Sequence, residues 1–207
     1  MPTDQLLRQT RVDFNQTSLQ HFFGSELFSS GWWLLVGMLV VFYILWWKLL
    51  DKERLIEMLL FGSFITVSAT IVDTVAVNFG LWQYFTRLVP ISPAPFPVDY
   101  TILPILFMLA YQYTNNWRSF FVASVIASGV YTFVINPLFL YFNVKQLFAW
   151  KVYYYLPLGV INGLVVRYVF LLVMKKQFGE EGIRNPSTLF RPSIIPARKH
   201  FEDDKNE

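Results

Sequence analysis

GWWLLVGMLVVFYILWW, residues Gly31 to Trp47, holds no charged side chain and carries a Trp pair at each end. A run of this length reaches the lower limit for a helix that crosses the hydrocarbon core, which takes about 20 residues. Indoles at both ends fit the headgroup level, where amphipathic rings settle. The run predicts a membrane-spanning helix, and the rest of the chain is read by asking how often the pattern recurs.

It recurs at Leu55 to Phe79, Phe120 to Phe142 and Tyr154 to Met174, and in a shorter form at Thr101 to Tyr113, where Pro104 is tolerated only in a first turn or at a kink. The expected fold is all-α, a polytopic transmembrane helical bundle of about five spans. Residues 1–30 form a polar or amphipathic amino-terminal segment, residues 31–176 the bundle, and residues 177–207 a polar, disordered cytoplasmic tail. Residues 1–30 lack the basic start and apolar stretch of a cleavable signal, so the first long apolar run directs insertion. Between the first two runs, the charges from Asp51 to Glu57 suit a short surface helix leading into the second. Residues Gly80 to Tyr100 read as a stiff loop, because Pro90, Pro93, Pro95 and Pro97 block helix and favour extended chain. AsnPro at Asn136 and Pro137 predicts that the fourth segment kinks or ends early.

Composition agrees with a membrane class. The chain is 55% hydrophobic and 15% charged, with a mean hydropathy of +0.41, against about 25% charged residues in soluble domains. There are no cysteines, which excludes disulfides and thiolate chemistry. The two histidines, His21 and His200, lie at opposite ends of the chain, and no metal or other cofactor is expected. A net charge of +3 could point to nucleic acid, but the basic residues flank apolar runs and form no stripe, so nucleic acid is not an expected partner. Topology accounts for them better. With five spans, Arg8, Arg11, Arg87, Lys145 and Lys151 fall on the amino-terminal side, and eleven basic residues fall on the other. The positive-inside rule then sets the carboxyl terminus in the cytoplasm and the amino terminus outside a plasma membrane.

Polar residues inside the apolar runs are the candidate functional groups. In the second run Gly62, Thr66, Ala69, Thr70, Asp73 and Ala76 share one helical face, opposite Phe64, Val67, Ile71 and Val75. The small face should pack against helices and the bulky face should meet lipid. The fifth run carries Gly159 and Gly163 as GxxxG, with Asn162 beside them and Arg167 a turn further on. From the helical rise, Asp73, Asn136 and Asn162 fall in one layer near the outer side, whereas Arg167 lies too far along the membrane normal for a direct Asp73 salt bridge. Asp73 is expected to bond Asn162 or Asn136, and Arg167 to lie beside Thr66 and Thr70 or to snorkel towards the cytoplasmic headgroups. The GxxxG pair reads first as packing within the chain and second as a dimer contact. Asp99 reads as the N-cap of the third span. Trp82, Tyr84, Tyr100, Trp117, Trp150 and the Tyr153 to Tyr155 cluster read as interface anchors before ligand cage. No GxSxG, HExxH, Walker-type loop or paired-aspartate metal motif is present.

Four stretches occur in a set order: AspxxxxxxGlyLeuTrpxTyr from Asp73 to Tyr84, ProValAspTyr from Pro97 to Tyr100, MetLeuAlaTyrGlnTyr from Met108 to Tyr113 with Trp117, and AsnProLeu at Asn136. With TrpLys at Trp150 and Lys151 and the tyrosines before Pro157, they resemble an uncharacterised family of small multi-pass membrane proteins from endospore-forming Gram-positive bacteria. The resemblance covers roughly Leu55 to Lys176. Members often carry an acid where this chain has Asn136, and Ser-Phe-Pro where it has Tyr155, Leu156 and Pro157. The resemblance implies a bacterial membrane protein and brings no activity.

Three functions fit these residues. The first is a non-enzymatic bundle binding a small molecule, a lipid or a partner protein through the polar layer of Asp73, Asn136, Asn162 and Arg167, with Trp82, Tyr84 and Asp99 on its outer loops. Its partners would be the bilayer itself and a membrane protein or a second copy of the chain. The second is a membrane-embedded enzyme acting on an isoprenoid or lipid, with Asp73 as general acid. The third is a proton-coupled carrier centred on Asp73.

Overall fold

The computed structural model describes residues 2–90 and 96–184. Its helices are α1 (Pro2–His21), α2 (Ser30–Leu49), α3 (Leu55–Asn78), α4 (Leu103–Gln112), α5 (Trp117–Val130), α6 (Asn136–Tyr141) and α7 (Tyr155–Arg184). Two short strands, β1 (Trp82–Tyr84) and β2 (Lys145–Leu147), pair antiparallel. The protein is an all-α bundle. Four helical stretches, Ser30–Leu49, Lys52–Asn78, Trp117–Tyr141 and Val152–Gln177, are long and apolar enough to cross a membrane, and Val98–Gln112 is a shorter apolar helix.

That shorter segment still runs from one end of the bundle to the other. Gln112 at its end donates to the Leu49 carbonyl at 2.8 Å and accepts from the Asp51 amide at 3.0 Å, where α2 ends and α3 approaches. Its beginning lies beside the end of α3. Length is the reason it is marginal as a span, not direction. Two of the helices start at a side-chain cap. Ser29 accepts from the Trp32 amide at 3.2 Å before α2, and Asn116 exchanges bonds with Ser119 in a capping box before α5.

Two of the proline-bearing helices, α4 and α6, share one device. A π-helical turn, Val98–Ile102, precedes α4 with Pro104, and another, Tyr131–Ile135, precedes α6 with Pro137. A proline ring crowds the carbonyl four residues back, here Tyr100 and Phe133, and removes one donor. A wide turn at those positions takes up the mismatch without ending the helix. Of the two outcomes expected at AsnPro, a kink or an early end, the early end does not occur: the fourth segment passes through the wide turn and continues to Tyr141. The expected extended loop is likewise only partial. Its early part forms β1, its end is helical from Val98, and Pro93 and Pro95 lie outside the described residues. The fifth segment, α7, also outruns its expected end at Met174, continuing to Arg184 with a break at Gly179, where φ is 70°. The expected disordered tail lies outside the described residues from 185 onward.

Two aromatic-rich cores fill the bundle. One centres on Phe61, Phe107, Tyr111, Phe120 and Phe170, and the other on Trp82, Tyr84, Tyr131, Phe139 and Tyr155 beneath the strands. On α3 the small face is turned inward, with Gly62, Ala69, Asp73 and Ala76 buried, while Val67, Ile71 and Val75 are exposed. Ile126, Phe133, Ile161, Val165 and Leu172 are exposed on the other long helices. So broad an apolar surface suits hydrocarbon and not water. The GxxxG pair packs within the chain. A Cβ on Gly159 would stand 2.6 Å from the Ser128 hydroxyl of α5, and one on Gly163 would run into the Phe107 ring of α4.

The amino-terminal segment is exposed along most of α1 and is tied down at its end. Glu26, 2% exposed, accepts from the Arg87 amide at 2.7 Å, from Arg87 Nε at 3.0 Å and from His21 Nδ1 at 2.8 Å. Arg87 also donates to Ser18. Burial pushes the Glu26 carboxyl up, but the bonds from Arg87 and His21 outweigh it and hold the group below its ordinary value of 4.5. Such a group stabilises the folded form fully above about pH 4.5, and the contribution is lost as pH falls through the lower folded value. Hydrogen-exchange protection across residues 2–21, taken relative to the intrinsic exchange rate at each pH, should accordingly be retained at neutral pH and fall in acid. Glu26→Gln should bring the loss of protection to neutral pH; unchanged protection in that variant would mean that another contact holds α1.

Candidate functional site

Asp73 lies near the end of α3, and the next turn of chain brings it its partners. Gly80, at φ 67°, swings the backbone out of the helix, and the Leu81 amide closes it on the Ala76 carbonyl at 2.9 Å. The chain then enters β1. Asn143, at φ 53°, ends α6 in the same way, with the Val144 amide on the Phe139 carbonyl at 2.8 Å, and β2 follows. The strand register sets Tyr84 opposite Lys145 and Trp82 opposite Leu147. Alternate residues of a strand share a face, so Trp82, Tyr84 and Lys145 all point into the bundle.

There Asp73 Oδ1 accepts from Trp82 Nε1 at 2.9 Å and from the Tyr84 hydroxyl at 2.7 Å. Lys145 Nζ stands 4.2 Å from the ring centre of Tyr155, 4.5 Å from Trp82 and 5.1 Å from Tyr84. Three ring faces around an ammonium form a cation–π cage. Lys145 is 1% exposed. Burial pushes its amine down to about 7, against the opposing pull of Asp73 and Asp99. Burial, and then the nearby Asp73 charge, pushes the Tyr84 hydroxyl well above its usual range.

The two π-helical turns complete the site. One carries Asp99 and the other Tyr131, and both residues face the same space. The cavity holds about 60 Å³, lined by Asp73, Asp99, Lys145, Trp82, Tyr131, Tyr155 and Asn162, and on its apolar side by Ala69, Val72, Leu103, Phe107, Leu158 and Gly159. Room of that size admits several waters or the polar end of a larger molecule. Asp73 Oδ2, Asp99 Oδ2, Lys145 Nζ and the Tyr155 hydroxyl are buried around it with no hydrogen-bond partner among the described residues. Buried polar groups are nearly always paired, so four in one place call for an occupant. Val72 on α3 and Leu158, Gly159 and Asn162 on α7 are only half-buried, and they mark the side on which the cavity opens between these helices.

Several expectations from sequence are revised here. Asp73 and Asn162 do share the cavity, but Asp73 bonds Trp82 and Tyr84, not Asn162 or Asn136. Asn136 is fully buried beyond Tyr131 and does not line the space. Asp99 caps no helix, because the π-helical turn carries the helical chain back past it; it is a buried acid of the site. Trp82 and Tyr84 are internal ligands of Asp73 and not interface anchors, whereas Tyr100 and Trp117 are exposed. Arg167 belongs to the other end of the bundle. Its guanidinium lies 4.5 Å from the Phe120 ring centre and 5.1 Å from Trp117, and donates to the Asn116 carbonyl at 3.3 Å and Thr114 Oγ1 at 3.5 Å. Thr66 and Thr70 are not its partners; it reaches along the membrane normal to the loop before α5.

Lys145 and Tyr131 do not stand out in the sequence as site residues, whereas Tyr155, read there as an interface anchor before a ligand cage, is buried in the site. Lys145 counts in the sequence as one more outer-side charge. The available signal was the alternation Trp82, Gln83, Tyr84 after a helix-ending glycine, matched by Lys145, Gln146, Leu147 after Asn143.

Among the described residues, no group of three or more His, Cys, Asp or Glu side chains is arranged to hold a metal ion. Comparison of the chain with protein-family models, with curated proteins and with solved structures returns no match.

Proposed function

We propose that this protein is a bacterial plasma-membrane bundle, carboxyl terminus in the cytoplasm, that binds an amphipathic small molecule from the bilayer. The polar end of the ligand occupies the cavity of Asp73, Asp99 and Lys145, and its apolar body lies in the gap between α3 and α7. The observation that carries this reading is the set of unpartnered buried polar atoms around a space with an apolar, half-open side. The stretches behind the family resemblance add support, since they supply Asp73, Trp82, Tyr84 and Asp99 to one place. A space of about 60 Å³ encloses a head and not a whole lipid, so the chain of the ligand must remain outside it.

The test uses the full chain in lipid nanodiscs with a photoreactive analogue of hexadecanol. Crosslinks, mapped to single residues, should concentrate on Ala69, Val72, Leu158 and Asn162, which line the cavity. Leu158→Trp, which fills the mouth, should reduce them about tenfold, equivalent to about 1.4 kcal/mol of binding. Crosslinks spread evenly over Val67, Ile71 and Ile126 would mean that the probe merely senses lipid.

One observation favours a second reading. Two acids and an amine around one space are the parts needed for proton transfer to a bound isoprenoid or lipid, with Asp73 as general acid. Lipid extracts of cells with and without the protein should then differ by mass spectrometry, and identical profiles would remove this reading.

A further inference from the structure

We propose that Lys145 captures a lipophilic aldehyde, its amine condensing with the carbonyl to form an imine held between Asp73 and Asp99. This rests on the cavity being a ligand site and names the chemical class of the ligand.

A primary amine becomes a nucleophile towards carbonyls when it is desolvated and held as the free base. Lys145 meets the geometric conditions. Nζ is buried, lines the cavity and has no hydrogen-bond partner among the described residues. Pairing of β2 with β1 fixes the residue opposite Tyr84, so the amine is held and not trailing in water. Its depressed affinity for protons leaves a large free-base fraction near neutral pH. Two carboxyl groups, each with a free oxygen, line the same space and supply the acid and the base.

The condensation balances with these groups alone. The Nζ lone pair forms the C–N bond, the C=O pair moves to oxygen, and that oxygen takes the proton of Asp99. The nitrogen, now positive, gives one proton to the Asp73 carboxylate, leaving a neutral carbinolamine. Asp73 returns that proton to the carbinolamine hydroxyl, which departs as water while the nitrogen lone pair forms the C=N bond. The net change is aldehyde plus amine plus Asp99 carboxyl giving iminium, Asp99 carboxylate and water. Two carboxylates then flank one cation, and the rings of Trp82, Tyr84 and Tyr155 that surround Nζ stabilise the iminium as they would an ammonium. An aldehyde with a long chain suits the apolar mouth at Val72 and Leu158, whereas a small soluble one gains nothing there.

The experiment treats the full chain in nanodiscs with hexadecanal and sodium cyanoborohydride, which reduces an iminium to a stable secondary amine, and maps the modified lysines by peptide mass spectrometry. Lys145 should be alkylated at least about tenfold faster than exposed Lys52 or Lys151 at neutral pH, since ordinary lysines hold their proton up to about pH 10. Labelling of Lys145 should level off above about pH 7, while that of exposed lysines keeps rising. Excess hexadecanol should suppress labelling at Lys145 only, and Lys145→Arg, whose guanidinium stays protonated and forms no imine, should abolish the fast phase. Should Lys145 react no faster than Lys151 while hexadecanol still crosslinks at the cavity, the imine is overturned and the binding reading survives. Should neither reagent concentrate at the cavity, both are overturned. The wild-type map decides this without any variant.

Discussion

Asp73→Ala should lower the unfolding free energy by about 3–5 kcal/mol while leaving membrane insertion intact. The carboxyl is the shared acceptor of Trp82 Nε1 and the Tyr84 hydroxyl, both on buried residues of β1. Removing it orphans two buried donors, and each orphan costs about 1–3 kcal/mol. It also takes away one of the two acids lining the cavity with Lys145, leaving Asp99. Insertion is a different matter, because it is set by the apolar runs and by the basic residues flanking them. Asp73→Asn keeps an acceptor oxygen in nearly the same place, so it should recover most of the loss and separate hydrogen bonding from charge. Thermal or denaturant unfolding in detergent provides the measurement. If Asp73→Ala unfolds with wild-type stability, the strand pair is held by packing alone and Asp73 is free to serve only a ligand.

What could be read from the sequence follows from which interactions are periodic. Long apolar runs, bounded by Trp pairs in α2, give α2, α3 and α7 directly, and the alternation of small and bulky residues along α3 gives its buried face. The Arg167 depth arithmetic holds too, because helical rise is fixed and no packing detail can close that gap. The strands were not legible. Three residues are too few to show a period, and their partner segments are joined only through the folding of the intervening helices, so Lys145 cannot be seen to face Asp73 until the bundle is built. Asp99 was misread for a related reason. A π-helical turn has no sequence signature of its own beyond the following proline, and an acid just ahead of an apolar run looks like a cap. The site therefore lies where regular periodicity breaks, at two π-helical turns and two left-handed residues, and that is where local pattern carries least information.

At the opposite end of the bundle, Arg54→Ala should destabilise the protein by about 3–5 kcal/mol and Glu57→Gln by only about 1–2 kcal/mol. Glu57 is fully buried and accepts from Arg54 Nε at 2.9 Å, from Arg54 Nη2 at 3.0 Å and from the Tyr111 hydroxyl at 2.8 Å. Arg54 is less enclosed, with 21% of its side chain exposed. Losing the arginine strands a buried carboxylate with a single neutral donor, whereas neutralising the glutamate leaves a guanidinium that can turn to water. The asymmetry identifies the buried carboxylate as the vulnerable member of the pair. Tyr111 transmits the effect inward, since its ring stacks on Phe61 at 4.4 Å in the larger aromatic core. High salt should change the wild-type stability little, because a pair whose carboxylate is fully buried is screened far less than an exposed one. Unfolding curves of the two variants, measured side by side in one detergent, test the argument; equal losses would show that the ion pair behaves as an exposed one and that Phe61 and its neighbours hold this end of the bundle by packing.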